Sequence, residues 1–191
     1  MCCILYIPAG VETPSICQLE KVFICNRHGI GFADSDGHSY KTLSFRRFTK
    51  AIQKRKRTSA CIIHFRLATH GSICTKNCHP FYDKKHEIWF AHNGILPISS
   101  HNDMTDSEIF FRERFLPALD KCNDYYNEDL WQFVNKERGS SRFVFMKGDD
   151  VKLLGEWHEV NKVYYSNLNW AYYYNPYSFS GQSRYDKDND D

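Results

Sequence analysis

The sequence predicts an α+β domain with more strand than helix. Three observations carry that expectation: short apolar runs that end abruptly in polar clusters, one helix-start signature and one hairpin signature. Residues 2–7, Cys2-Cys3-Ile4-Leu5-Tyr6-Ile7, read as a strand that stops at Pro8, which has no N–H to continue a ladder. The segments 21–25 and 30–33 flank a turn-like break, Asn26-Arg27-His28-Gly29. Leu43, Phe45, Phe48, Ala51 and Ile52 recur at a helical period, so a helix is expected over 43–55. The run 59–66 reads as a buried strand, and 87–92 repeats the pattern with Ile88, Trp89, Phe90 and Ala91. Thr105-Asp106-Ser107-Glu108 fits a capping box, with a helix to about Phe115 before Pro117. Residues 142–146 and 151–155 flank Lys147-Gly148-Asp149-Asp150 and read as a hairpin. Strands are also expected at 163–166 and 171–174. From about Pro176 the chain turns rich in Ser, Gly, Asp and Asn, the composition of a disordered acidic tail. The expected organisation is one domain over 2–175 and a tail over 176–191.

Bulk properties narrow the function. A chain of 191 residues supports one substantial core, and 42% hydrophobic with 16% aromatic residues is a globular composition. A net charge of +2 gives no electrostatic reason to expect nucleic acid or a membrane surface as partner. No apolar run approaches the roughly 20 residues of a membrane-spanning helix. The first residues lack the pattern of a signal peptide, so a cytoplasmic location is expected. The eight cysteines are then expected to be reduced and mostly buried. Zinc is the competing explanation for Cys74, Cys78 and His79, with His86 and His92 nearby. No C-x-x-C pair exists, however, so no metal and no other cofactor is expected. Lys54-Arg55-Lys56-Arg57 could bind phosphate, although cations completing a helix C-terminus are the simpler explanation.

The polar clusters at the apolar strand ends suggest chemistry. Cys2 follows Met1 directly. Removal of Met1 would leave a thiol and an α-amine on one residue, and the amine can act as base for its own nucleophile. If a thiolate attacks an amide, charge develops on the carbonyl oxygen. Asn93 can donate its side-chain N–H to that oxygen, and Gly94 its backbone N–H with no side chain in the way. Arg66 can grip a substrate carboxylate in a bidentate manner. Asp106 can pair with a substrate ammonium. Each residue also has a plainer explanation. Asn93-Gly94 is a turn dipeptide, Asp106 suits a helix N-terminus, Arg66 could close an ion pair, and His64, His79 and His92 could be structural.

Taken together, Met1-Cys2, His64-x-Arg66-x-Ala68-Thr69-His70-Gly71, Asn77-x-His79-Pro80, Phe90-Ala91-His92-Asn93-Gly94-Ile95 and Thr105-Asp106-Ser107-Glu108 resemble the class II glutamine amidotransferases, of the N-terminal nucleophile hydrolases. Asn26-x-x-Gly29-x-Gly31 and Tyr165-Ser166-Asn167 extend the resemblance. It implies a four-layer αββα sandwich of two antiparallel sheets. It implies Cys2 as nucleophile with its α-amine as base, and Asn93 and Gly94 as the oxyanion hole. Arg66 would hold the glutamine α-carboxylate and Asp106 the α-ammonium, with Thr69 and His70 lining the pocket. Three positions depart from the family pattern: Cys3 for a common glycine, Leu67 for a tryptophan and His28 for an aspartate.

The implied activity is glutamine amide hydrolysis through a γ-glutamyl thioester, releasing glutamate and ammonia. No second domain to use the ammonia is expected within these residues, so a separate synthase subunit is the expected partner. The alternatives are a hydrolase of another γ-glutamyl or linear amide, or a silent binding scaffold of the same fold. Cys74–Lys85 is the expected lid.

Overall fold

The computed structural model describes residues 1–68, 72–101 and 104–172. Two antiparallel sheets lie face to face. The first runs in the order β3-β2-β4-β1-β10-β9, with β1 Cys3–Ile7, β2 Ile30–Asp34, β3 Ser39–Thr42, β4 Cys61–Phe65, β9 His158–Val160 and β10 Val163–Tyr165. The second runs β5-β6-β7-β8, with β5 Phe81–Asp83, β6 Ile88–Asn93, β7 Arg142–Lys147 and β8 Asp150–Leu154. The 59–66 and 87–92 runs and the 142–155 hairpin thus form the strands expected of them.

Strand alternation builds four layers. Successive side chains of a strand point to opposite faces. Cys3, Leu5, Ile7, Ile30, Phe32, Cys61, Ile63 and Phe65 face outward onto α1 (Ile16–Cys25) and α2 (Phe45–Ile52), where Leu19, Val22, Phe48 and Ile52 complete one core. Ile4, Ala33 and Ile62 face the other way. There they meet Ala91, Val144 and Met146 of the second sheet. Phe81, Ile88, Phe90, Phe143 and Phe145 turn outward from that sheet onto a helical layer. That layer comprises α3 (Asp106–Ile109), a π-helical stretch Phe110–Phe115, α4 (Leu116–Cys122) and α5 (Glu128–Glu137). The fully buried aromatics lie in the outer layers, whereas the buried core between the sheets is mostly small and β-branched side chains with Met146.

Several expectations need correction. The helix beginning at Asp106 does not stop before Pro117 but runs on to Cys122. Its π-helical stretch sends the Leu116 N–H to the Phe111 carbonyl, five residues back. That widened turn opens a new first turn in which Pro117 has no N–H to satisfy. Only half of the capping box forms: Thr105 Oγ1 accepts from the Glu108 N–H, while the Glu108 carboxylate turns to Arg112. The complete capping box is at Ser15 and Gln18, where it starts α1. The segment 21–25 before the Asn26 break therefore belongs to a helix. The strand expected at 171–174 is instead α6 (Asn169–Tyr172), started by Asn167 Oδ1 accepting the Asn169 N–H and packed through Leu168 and Trp170 on the first core. Residues 173–191, including the expected tail, lie outside the described residues.

The first sheet packs tightly against the Cys78–His79 segment that leads into β5. A Cβ on Gly31 would sit 2.0 Å from the His79 carbonyl oxygen, and one on Gly29 would sit 2.4 Å from Cys78 Sγ. The Gly31 contact is with backbone and cannot rotate away. Gly31→Ala is therefore predicted to destabilise the fold by about 1–3 kcal/mol or more, the range for overpacking. Urea unfolding checks this, and an unchanged midpoint would refute the close approach.

Candidate active site

The site forms where β1 begins and where β4 and β6 end. The register of β1 against β4 pairs Cys3 with Phe65, which brings Cys2 beside the residues that follow β4. The Leu67 N–H points at Cys2 Sγ, 3.3 Å away. Asn167 Nδ2 donates to the Cys2 carbonyl at 2.7 Å and so holds the backbone of Cys2. Cys2, Arg66, Gly94 and Asp106 line one cleft, together with His64, His79 and His92.

Asn93 ends β6 and is 1% exposed. Its Nδ2 donates to Ser166 Oγ at 2.8 Å, and the same oxygen accepts the Ile4 N–H at 2.9 Å. One amide hydrogen of Asn93 is thus spent on orientation, and the second remains for another acceptor. Gly94 has φ +150°, and a Cβ there would lie 2.2 Å from Ser141 Oγ. Conformation and space both require glycine here.

Arg66 is buried, at 4% exposure, with Nη1 donating to the Ser72 carbonyl at 2.8 Å. Asp106 is the first residue of α3. Its Oδ2 accepts the Leu96 N–H at 2.9 Å and its Oδ1 the Ser107 N–H at 2.8 Å. The helix-start explanation of Asp106 therefore holds in the structure, and the same carboxylate lines the cleft. Thr69 and His70 lie outside the described residues.

Burial sets the protonation states. Desolvation pushes the Cys2 thiol up from its ordinary range, against the opposing effects of the Leu67 N–H, the terminal ammonium and Arg66. Cys3 is fully buried, and desolvation pushes its thiol well up from the ordinary range too. At neutral pH Cys3 is an inert packing group. The residue that replaces the family's common glycine is thus absorbed into the core.

The expected lid is only partly a loop. Asn77, Cys78 and His79 are buried, and Phe81–Asp83 is a strand paired with β6. The side chains of Phe81 and His79 are needed inside, so this half of Cys74–Lys85 cannot swing open. Among the described residues no group of three or more His, Cys, Asp and Glu side chains is arranged to hold a metal ion. No helix among them is long and apolar enough to cross a membrane.

The family model described as glutamine amidotransferases class-II matches residues 36–150. The chain belongs to that family. Two curated relatives named glutamine–fructose-6-phosphate aminotransferase (isomerizing) match shorter stretches. The protein of Methanocaldococcus jannaschii is 49% identical over 55 residues, 29% of this chain and 5% of its own length. That of Methanococcus maripaludis is 54% identical over 33 residues, 17% of this chain and 6% of its own length. Among solved structures, the glutamine phosphoribosylpyrophosphate amidotransferase of B. subtilis superimposes with a TM-score of 0.53 at 15% identity, covering 86% of this chain and 41% of that one. A structure described as the allosteric regulatory enzyme of purine biosynthesis gives 0.50 at 14% identity, with the same coverage. These two likenesses concern the fold.

Sequence reasoning left three parts of this amidotransferase's site unseen. The Leu67 contact is a backbone N–H, which no side-chain pattern can announce. Ser141, which closes on Gly94, lies 47 positions further on in an ordinary Ser-Ser pair. The third part is a layer of imidazoles. The rings of His64 and His79 lie 4.2 Å apart, His79 Nδ1 accepts the His92 N–H at 3.3 Å, and His92 Nδ1 meets Ser107 Oγ at 2.7 Å. Burial is the main cause that lowers all three pKa values, with the neighbouring His and Arg66 charges adding to it for His64 and His79. Asp106 opposes the shift at His92. The three rings are neutral at pH 7.

The sign of the pH effect follows. Below the ordinary value of 6.5 the unfolded chain binds protons that the folded chain refuses, down to about 3 for His64. Stability is therefore full above that value and lost as pH falls, by about 1.4 kcal/mol per pH unit for each such histidine. His64→Phe is predicted to remove about one proton from the pH slope of unfolding free energy between pH 6 and 4. Urea titrations across that range measure it. An unchanged slope would mean that His64 is protonated in the fold.

Proposed function

We propose that this chain hydrolyses the side-chain amide of glutamine, with Cys2 as nucleophile once Met1 is removed. The observation that carries the reading is the convergence of Cys2 Sγ, the Leu67 N–H, Arg66, Gly94 and Asp106 on one cleft. Because burial holds the thiol protonated, attack needs a base, and the freed α-amine of Cys2 is on the same residue. The amine takes the thiol proton as sulfur bonds to the amide carbon. The carbonyl oxygen becomes an oxyanion that receives hydrogen bonds from Asn93 and the Gly94 N–H. The protonated amine then passes its proton to the leaving nitrogen, the C–N bond breaks, and ammonia departs. A γ-glutamyl thioester remains, and water cleaves it to glutamate and the free thiol.

Arg66 is assigned to the α-carboxylate of glutamine and Asp106 to its α-ammonium, with Thr69 and His70 completing the pocket. Such charge-assisted contacts fix one end of the substrate, so that the other end meets sulfur in one orientation. The ammonia acceptor is assigned to a separate synthase subunit. A protein limited to other γ-glutamyl amides would differ only in what the pocket admits beyond the amide nitrogen.

Glutaminase assays test the reading. Cys2→Ala is predicted to abolish ammonia release, while Cys3→Ala, which alters only a buried packing thiol, keeps most of it. The opposite ranking, or equal activity of both variants, would refute Cys2 as nucleophile. Asn93→Ala is predicted to lower kcat by about 10²–10³-fold with a smaller change in KM, the size of one lost oxyanion donor. Steady-state kinetics separate the two parameters. A change confined to KM would assign Asn93 to ground-state binding instead.

A further inference from the structure

A second cleft lies well apart in the fold, on the outer side of the first sheet between β3 and α2. It has a volume of about 490 Å³, within the roughly 300–1,000 Å³ of small-molecule sites. Its lining includes Asp34, His38, Tyr40, Arg47, Lys50 and Lys54. None of these belongs to the Cys2 cleft.

The basic run at the end of α2 supplies part of this wall, and the structure sorts its four cations. Arg55 is a brace: its guanidinium donates to the carbonyls of Pro8, Val11 and Ser59 and to Thr13 Oγ1. Lys56 pairs with Asp36, and Arg57 pairs with Glu12 and the Gly10 carbonyl. Of the four, Lys54 and Arg55 line the cleft beside Arg47 and Lys50, and both terminal nitrogens of Arg55 are already bonded. Arg47 and Lys50, three residues apart, share one side of α2, and Lys54 follows in the turn after it. Among the described residues, the side chains of Lys50 and Lys54 make no hydrogen bond or ion pair. The single carboxylate of the lining, Asp34, is fully buried and already held by His38, through its N–H at 2.9 Å and its ring Nδ1 at 3.1 Å. The cleft thus concentrates positive charge. Tyr40, on β3 opposite the helix, is 38% exposed and offers a flat apolar face.

We propose that this cleft binds a phosphate ester of nucleoside-phosphate size. Arg47, Lys50 and Lys54 contact the phosphate oxygens, and the ring of the ligand lies against Tyr40. A helix C-terminal half rich in cations would need no cavity if it served only the helix dipole. Here the cations border a ligand-sized space, and one wall of that space is aromatic.

Calorimetric titration of the full chain with ADP, inorganic pyrophosphate and adenosine tests the proposal. The expected order is ADP tightest, pyrophosphate weaker and adenosine undetectable. Lys50→Glu with Lys54→Glu should weaken ADP on the order of tenfold or more, the size of a lost hydrogen bond to a charged group. Tyr40→Ala should weaken ADP and leave pyrophosphate unchanged. Both lysines are exposed, so thermal unfolding of the double variant should match the parent and confirm that it folds. Failure of ADP to bind at millimolar concentration, or binding indifferent to the double variant, would overturn the site. Equal affinity for ADP and pyrophosphate would overturn the ring contact. Binding is read directly, so the outcome does not depend on the chemistry at Cys2.

Discussion

The Ser166 hydroxyl is the point on which the site's geometry depends. It accepts the Ile4 N–H from β1 and the Asn93 side-chain N–H from β6, so one oxygen links the strand that follows Cys2 to the strand that ends in Asn93, the proposed oxyanion donor. The backbone next to it completes the joint: the Ser166 N–H returns to the Ile4 carbonyl at 2.9 Å, and Asn167 holds the Cys2 carbonyl. Ile4, Asn93, Ser166 and Asn167 are buried, where an unmade hydrogen bond costs about 1–3 kcal/mol. The two sheets cannot slide past each other without breaking several at once. Preorganisation of this kind is what an oxyanion hole requires, since donors that must reorganise during the reaction contribute less.

The electrostatics rest on the same packing. The interface between the sheets is narrow because Gly31, Ala33 and Ala91 line it, and it admits the imidazole layer of His64 and His79 directly beneath the cleft. Neutral imidazoles leave Arg66 as the buried cation that faces the thiol and, in the proposed reaction, a substrate carboxylate. A protonated layer would place further positive charge beside Arg66 and the freed α-amine, making that amine a weaker base. Burial thus has two results at one place. It raises the thiol, so that proton transfer must accompany attack, and it keeps the histidines silent. The basic cleft behind α2 follows the opposite rule, because its cations stay in water, where charge costs little.

Much of this was legible in the sequence. Apolar runs that end in polar residues located β1, β4 and β6 and placed Cys2, Arg66 and Asn93 at their ends, because a strand's burial stops where its sheet stops. The helices were harder to read. The Ser15-x-x-Gln18 box that starts α1 was present, but the helix behind it alternates Cys, Glu, Lys and Phe with no strong stripe. Thr105-x-x-Glu108 looked stronger, yet Glu108 bonds to Arg112 instead of closing its box. Pro117 signalled a stop that the π-helical turn evades. The Tyr-rich segment at 171–174 favoured a strand by composition. Its first residues instead form a short helix, because a capping Asn167 is adjacent and Leu168 and Trp170 pack on the first core. The Leu67 N–H, Ser141 and the histidine stacking depend on contacts between distant segments, and no local pattern encodes those.

The central claim is that Cys2 becomes an N-terminal nucleophile held by the Ser166–Asn167 joint. Intact-mass spectrometry of the protein from its native host, before and after treatment with a diazoketone analogue of glutamine, tests it most directly. The account predicts a mass lacking methionine, a single adduct, and localisation of that adduct to Cys2 by peptide mapping. Retention of Met1, or an adduct on Cys74 or another thiol with Cys2 unmodified, would contradict it.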